Sequence, residues 1–322
     1  MNSPERASEF TPHPSASGLA ANRTADICVI RNPGSGKQGG DVTIEAMKRH
    51  FAEHPGRFEL RIVASGGDIA GAARRAVADG FPIVVAAGGD GTIRAVASAV
   101  AGSSAHLGVL PLGTFNYFAR SIGLPDDLGA AVRVLIDGAP TPWDIGYVNG
   151  HAFLNNASLG LYPTILQNRE NIYNRWGRSR IAAHGSVLLT LAGFRAPLAL
   201  KVTVDGAVRR VRTPLVFIAK NPAQLEEIGV DGAEGIREGQ FALFIAPDCS
   251  RWQLLRYAIR LALRTMAPGR DFELVHGRDI LVETARSRMT VACDGEREKM
   301  ASPFRFELRR DALNVILPAA NA

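Results

Sequence analysis

From residue 26 to about 140, short β-branched runs alternate with stretches whose apolar residues recur at helical spacing. The runs "DICVI", "ELRIV", "PIVVA" and "LGVL" are followed by helix-like segments at 41–53, 68–79, 92–101 and 114–121, and a further one covers 126–137. Such alternation predicts a parallel sheet with crossover helices. In the segment 92–101, Ile93, Val96, Ala97, Val100 and Ala101 keep the i, i+3, i+4, i+7, i+8 spacing of one buried helix face. That spacing decides how "GGDGT" at 88–92 is read. An Asp-Gly pair between apolar residues is ordinarily a hairpin turn, but a helix that follows directly makes this one a strand-to-helix turn.

Past residue 143 the pattern changes. "YVNGHAF", "VTVDGAVRRV", "EGQFALFI", "RDILVETA" and "SRMTVACDGE" are short alternating runs with Asn-Gly or Asp-Gly turns, which predicts a mostly antiparallel second domain. Helical inserts are expected around 163–194 and at 250–266. The expected organisation is a tail over 1–24, an α/β domain over 25–140 and a β-rich domain over 141–310. The C-terminal "LNVILP" is free to return to either domain, which would add 311–322 to the first.

At 322 residues the chain is long enough for two cores. Its formal charge of +6 points to an anionic partner: a nucleotide, a membrane surface or a nucleic acid. Cys28, Cys249 and Cys293 are odd in number and contain no CxxC pair, so neither a disulfide framework nor a zinc site is indicated, and a reducing cytosol fits. The first 24 residues lack the apolar core of a signal peptide and read as a loose tail. "VLLTLAGFRAPLAL" is too short for a membrane span and carries Arg195 and Pro197, so no transmembrane segment is expected.

In an open α/β sheet, ligands collect at the carboxyl ends of the strands, where helix N-termini offer unpaired N–H groups to anions. Four loops at such positions are rich in Gly and hydroxyl residues: "RNPGSGKQGG", "ASGGDIAG", "GGDGT" and "PLGTFNYFAR". Glycine lets backbone donors approach phosphate oxygens closely. The familiar fingerprints fail on counting. Arg31 stands where a P-loop needs its first Gly and Gln38 where it needs Ser or Thr, and Arg94 stands where the dinucleotide motif wants its third Gly.

"NPGSG", "GGDGT" and "LPLGTFNYFAR", followed by "WDIGYVNGHAFLNNASLGLYP" and the late "DGE" at 294–296, resemble in order and spacing the bacterial lipid kinases of the diacylglycerol kinase catalytic-domain family, relatives of sphingosine and ceramide kinases. The resemblance runs from about 26 to 320. It implies an N-terminal α/β nucleotide-binding domain like that of NAD kinase or phosphofructokinase, and a C-terminal, mostly antiparallel β-sandwich that holds the lipid, with ATP in the cleft between them. By that pattern Asn32, Pro33, Gly34, Ser35 and Gly36 and the loop Gly88, Gly89, Asp90, Gly91 and Thr92 hold the nucleotide phosphates, and Ser65 and Thr114 add hydroxyl contacts. Glu296, with Asp294 beside it, is the candidate general base for a lipid hydroxyl. The implied cofactors are ATP and Mg²⁺, the metal network resting on Asp90 and Asp144.

The chain departs from the pattern at one position. Where Asp-containing relatives carry "GTxND", this sequence has Tyr117, and a phenol does not replace a carboxylate as a metal partner at neutral pH. The resemblance also implies a structural cation at "GIREGQ", with Gly235, Glu238 and Gln240 as ligands. "DGE" is in addition a good type I′ turn on its residues alone.

The stretch "SRWQLLRYAIRLALRTMAP" predicts a helix capped by Ser250, with Arg256, Arg260 and Arg264 opposite an apolar side made of Trp252, Leu255, Ile259 and Leu263. Two readings follow: a surface helix packed on its own domain with its charged face in solvent, or a landing surface for anionic headgroups. The expected partners are therefore ATP, a lipid acceptor and, transiently, an anionic membrane surface. Nucleic acid is not expected, since no groove-reading module is present. A homodimer is left open, and the expected location is cytoplasmic, peripheral at the inner face of the membrane. Two other functions stay in view: an NAD kinase-like kinase of a soluble alcohol, and a nucleotide-binding regulatory module that has lost turnover, the latter suggested by Tyr117.

Overall fold

The computed structural model describes residues 25–33, 40–64, 68–176 and 196–319. The expected tail over 1–24, the "GSG" of the first loop, Ser65 and residues 177–195 of the first helical insert lie outside these ranges.

The first lobe follows the alternation read from the sequence: β1 (Ile27–Arg31), α1 (Gly40–Ala52), β2 (Phe58–Ile62), α2 (Ile69–Ala78), β3 (Ile83–Gly88), α3 (Asp90–Val100), β4 (His106–Pro111), α4 (Tyr117–Ser121) and α5 (Leu128–Asp137). Strands pair in parallel in the order β2-β1-β3-β4. β1, β3 and β4 are almost wholly buried, as strands covered on both faces must be. One core packs α2 and α3 with Trp143 and Val315 against one face, and a second packs Ile44 and Met47 of α1 and Leu135 of α5 against the other.

The second lobe is built from β5 (Ala139–Val148), β6 (His151–Phe153), β7 (Asn156–Gly160), α6 (Leu161–Trp176), β8 (Leu198–Val204), β9 (Ala207–Thr213), β10 (Leu215–Ala219), α7 (Pro222–Ile228), α8 (Ala233–Arg237), β11 (Phe241–Ile245), α9 (Arg251–Ala262), β12 (Glu273–Gly277), β13 (Asp279–Thr284), β14 (Arg288–Cys293), β15 (Glu296–Ala301) and β16 (Phe304–Leu317). A six-stranded sheet runs β12-β11-β10-β7-β14-β15, with antiparallel pairing throughout. It faces β8, β13 and the first half of β16 across a core that includes Phe153, Phe241, Phe304 and Phe306. The Asn149-Gly150, Asp205-Gly206 and Asp294-Gly295 turns all have positive φ at both central residues, the geometry of two-residue hairpins.

The C-terminal strand returns to both lobes. Residues Phe306–Arg309 of β16 pair with Ile145–Val148 in the outer half of β5, and Phe304–Glu307 pair with β13. Leu313–Leu317 pair with the first half of β5, and Val315 aligns with Leu107 of β4 in parallel. The register shifts between Arg309 and Leu313, where Asp311 adopts φ 49° and its amide donates to Asp144 Oδ1 at 3.1 Å. The lobe boundary is therefore not a linker: β5 and β16 cross it together.

Candidate functional site

The glycine loop lies where the sequence puts it. β3 ends at Gly88, Gly89 caps α3 in an extended conformation, and Asp90 opens the helix. The amides of the first helical turn have no partner within the helix, which makes this end attractive to anions. Asp90 turns one oxygen to the neighbouring loop: its Oδ1 accepts the Phe118 amide at 3.1 Å and so fixes the start of α4. The loops after β3 and β4 touch backbone to backbone, since a Cβ on Gly113 would lie 2.5 Å from Gly89 Cα. Only glycine allows that approach.

Glu296 stands opposite. A cleft of about 490 Å³ is lined by Asn32, Asp68, Gly89, Asp90, Thr92 and Glu296, among others. A methyl group on Gly91 would sit 2.7 Å from Glu296 Oε1, so the tip of the glycine loop and the carboxylate of the second lobe are in near contact. The sequence-predicted residues Asn32, Gly89, Asp90, Gly91, Thr92 and Glu296 are thus brought to one place, although 296 is some two hundred residues from the loop in sequence. Pro33 follows Asn32 directly and Gly88 ends the strand beneath the loop. Thr114 lies exposed on the loop after β4 and does not line this cleft. Gly34, Ser35, Gly36 and Ser65 lie outside the described residues.

Asp294 does something different from its neighbour. Its carboxylate accepts the amides of Leu154 (2.7 Å), Asn155 (2.8 Å) and Asn156 (3.0 Å), pinning the turn between β6 and β7 to the β14–β15 hairpin. Burial pushes its carboxyl up to about 6, against the pull of those three amides and of Arg94. Of the acidic pair, only Glu296 reaches the cleft. Asp144 Oδ1 accepts the Asp311 amide at the β16 irregularity, and Asp144 does not line the cleft. Gly235 lies in α8, Glu238 caps it, and the Gly235 carbonyl already accepts the Gln240 amide at 3.0 Å. None of these three lines the cleft. Among the described residues no group of three or more His, Cys, Asp or Glu side chains is placed to hold a metal.

Several side chains at or near the site carry parts that the sequence did not assign to them. Arg94, one turn into α3, has a side chain only 12% exposed; it donates to Glu298 Oε1 at 3.0 Å and pairs with Glu296. Burial opposes its charge, but Glu296, Glu298 and Asp294 more than offset this and its pKa is raised. His151 closes the far side of Glu298. The signal was present in "GEREKM": Glu296 and Glu298 are two apart on a strand and so share a face. Asp68 caps α2 through the Gly71 amide at 2.6 Å. Lys220, the residue after β10, is 7% exposed, with Nζ 5.4 Å from the Trp143 ring centroid. Burial pulls its ammonium down to about 8, only partly offset by Asp144 and Asp294. Tyr117 is half-buried, and burial followed by Glu227 raises its pKa, so the phenol is neutral where relatives are expected to carry a carboxylate.

Comparison with known proteins fits this geometry. Residues 26–148 match the family model of the diacylglycerol kinase catalytic domain. The resemblance read from the glycine loops is therefore shown. A diacylglycerol kinase of Bacillus subtilis is 29% identical over 248 residues, 73% of this chain and 78% of that one. A YegS-like lipid kinase of Pseudomonas aeruginosa is 40% identical over 135 residues, which cover 41% of this chain and 44% of the relative. The crystal structure of a diacylglycerol kinase from Bacillus anthracis superposes with a TM-score of 0.70 at 20% identity, over 92% of this chain and 98% of that one, and shows that the α/β lobe and the antiparallel β lobe share its fold.

Two outcomes are expected. Arg94→Met removes the cation between Glu296 and Glu298 and should destabilise the fold by about 2 kcal/mol, read as a lower midpoint in urea; an unchanged midpoint would mean that the pair is solvated. Lys220→Met removes an amine whose folded pKa lies below its ordinary 10.5. The folded protein then binds fewer protons here than the unfolded chain between pH 8 and 10.5, so the unfavourable charge weighs fully below pH 8 and lifts as pH rises. The stability of Lys220→Met relative to wild type should accordingly fall by about 3 kcal/mol from pH 7 to above pH 10, and denaturation at both pH values measures it.

Proposed function

We propose that the protein is a lipid kinase that transfers the γ-phosphoryl group of ATP to a hydroxyl of diacylglycerol or a related lipid. The observation that carries this reading is the facing of the Gly89–Thr92 loop by Glu296 across one cleft. Phosphoryl transfer asks a protein mainly to position the acceptor in line and to stabilise charge on the phosphate oxygens. The N-terminal amides of α3, with glycines that keep side chains out of the way, suit the phosphates. In this reading Glu296, facing the loop, takes the acceptor's proton, a contribution of about 10²- to 10⁴-fold in rate. Arg94 positions that carboxylate from the nucleotide side of the cleft.

The donor set fits a metal carried in with the nucleotide better than one caged by protein. Mg²⁺ commonly takes one or two carboxylates together with phosphate oxygens and water. Asp90 offers one such carboxylate at the loop, and when bound the ion would screen the phosphate charge. Asp144 lies outside the lining of this cleft and Tyr117 is a neutral phenol, so neither adds a carboxylate beside Asp90 there. Tyr117 also favours a second reading, a nucleotide-binding module without turnover. A mass-spectrometric screen with ATP, Mg²⁺ and diacylglycerol, monoacylglycerol, sphingoid and phosphatidylglycerol acceptors separates the two: a phosphorylated lipid supports the kinase, and ATP binding without product supports the module.

Asp90→Asn should abolish transfer in a protein that still folds, as judged by circular dichroism; unchanged turnover would remove the phosphate and metal role from this loop. Glu296→Gln should lower kcat by about 10²-fold or more while calorimetry finds nucleotide affinity little changed. A large loss of nucleotide binding instead would place the carboxylate on the donor side.

A further inference from the structure

Helix α9 carries apolar side chains on two opposite faces. Inward, Leu254 is buried with Cys249 against Leu161, Leu255 and Tyr257. Outward, Trp252 is 71% exposed, Ile259 52% and Leu263 67%. Positions i, i+7 and i+11 fall within roughly 40° of one another on a helix, so these three form one stripe, roughly opposite Leu254. Of the two readings of this helix, the packing of its apolar side on its own domain fails for Trp252, Ile259 and Leu263. They face solvent, and the neighbouring Leu254 takes the core position.

The charges around the stripe are of one sign. From Ser250 to Arg270 there is no Asp or Glu, while arginine occurs at 251, 256, 260, 264 and 270. Arg260 and Arg270 are taken up by the buried Asp271. Arg251, Arg256 and Arg264 are exposed and form no salt bridge among the described residues; Arg251 lies 5.8 Å from the Trp252 ring centroid and Arg256 5.8 Å from that of Tyr257, so both run alongside the helix.

We infer that this face of α9 seats the protein on an anionic lipid bilayer, with Trp252, Ile259 and Leu263 entering the interface and Arg251, Arg256 and Arg264 meeting the headgroups. A helix with a Trp- and Leu-bearing face flanked by arginines is suited to lie in the plane of a membrane. Soluble monomers rarely leave such a stripe uncovered. A second copy of the chain is a poor occupant, because a two-fold contact through this face would bring the same unpaired arginines together. The inference deepens the lipid-kinase reading by naming where the acceptor's surface is met, and it rests on that reading only for its purpose, since binding is measured without turnover.

The test uses the full chain with vesicles of phosphatidylcholine alone or mixed equally with phosphatidylglycerol. Wild type should sediment with the mixed vesicles at least about tenfold more tightly than with the neutral ones, and salt should weaken the binding. Trp252→Ser/Ile259→Ser/Leu263→Ser, all solvent-exposed and so not expected to perturb the fold, should lose about tenfold or more, as should Arg251→Gln/Arg256→Gln/Arg264→Gln. Equal binding by wild type and the triple serine variant, or no preference for anionic vesicles, overturns the inference. So does light scattering that finds a wild-type dimer dissociated by the serine substitutions, which would give the face to a second copy. Phosphorylation of a short-chain, water-soluble acceptor should be unchanged in the serine variant, so that loss of membrane contact and failure of the kinase reading are told apart.

Discussion

The positions of the two lobes are set by backbone hydrogen bonds along one strand. β16 is in register with β13 and the outer half of β5 at one end, and with β4 and the inner half of β5 at the other. Two antiparallel strands therefore cross between the cores as a ribbon, and any rotation of one lobe against the other must bend it. The irregularity at 309–313 is where the ribbon changes partners. Asp144 holds the unpaired amide there, which answers the requirement that a backbone donor leaving a ladder find another acceptor. Across the lobes so joined, Glu296 faces the glycine loop.

Within that fixed frame, electrostatics decides what the cleft can accept. Asp68, Asp90 and Glu296 all line it, an unpromising surface for a polyanion if side-chain charge were the whole account. Two features temper that negative charge. Arg94, brought from α3 and largely desolvated, is shared between Glu296 and Glu298 and so offsets part of the charge on the far wall. The helix end that carries Gly91 and Thr92 presents backbone amides beside the Asp90 carboxylate, and these act on an anion at short range. Glycine at 89 and 113 is then a matter of clearance: the two loops are close enough that a single methyl group would force them apart.

Much of this was legible in the chain. Period-3.6 spacing after 90 fixed the strand-to-helix turn, and the Asn-Gly and Asp-Gly pairs marked hairpins that the positive φ angles bear out. The unread parts have physical reasons. Arg94 looked like a defect in a dinucleotide motif because its partners are some two hundred residues away, and no local period encodes a tertiary ion pair. Asp294 and Glu296 are alike in sequence, yet a difference of two residues turns one carboxylate into a buried acceptor for three amides and the other into a cleft residue. The strand "FRFELRRDALNVIL" conceals its double membership because "RRDA" interrupts the alternation at the position where the register shifts. In α9, apolar residues on both sides give a spacing that does not say which side faces in.

The exposure of that second apolar side is not a sign of a loose helix. Its first turn is closed by a capping box in which Ser250 and Gln253 satisfy each other's backbone amides. Beyond its last turn, Asp271 is 1% exposed and ties down three separate groups: Arg260 of the helix at 2.5 Å, Arg270 at 2.8 Å and the Ala267 amide at 3.1 Å. Arg270 above all, against the cost of burial, pulls the Asp271 carboxyl down to about 2, so the clamp stays ionised at any pH the protein meets near neutrality. A helix held by polar groups at both ends and by Leu254 beneath cannot easily roll to hide Trp252. Its outward stripe is a fixed surface of the second lobe, the same lobe whose β14–β15 hairpin delivers Glu296 to the cleft.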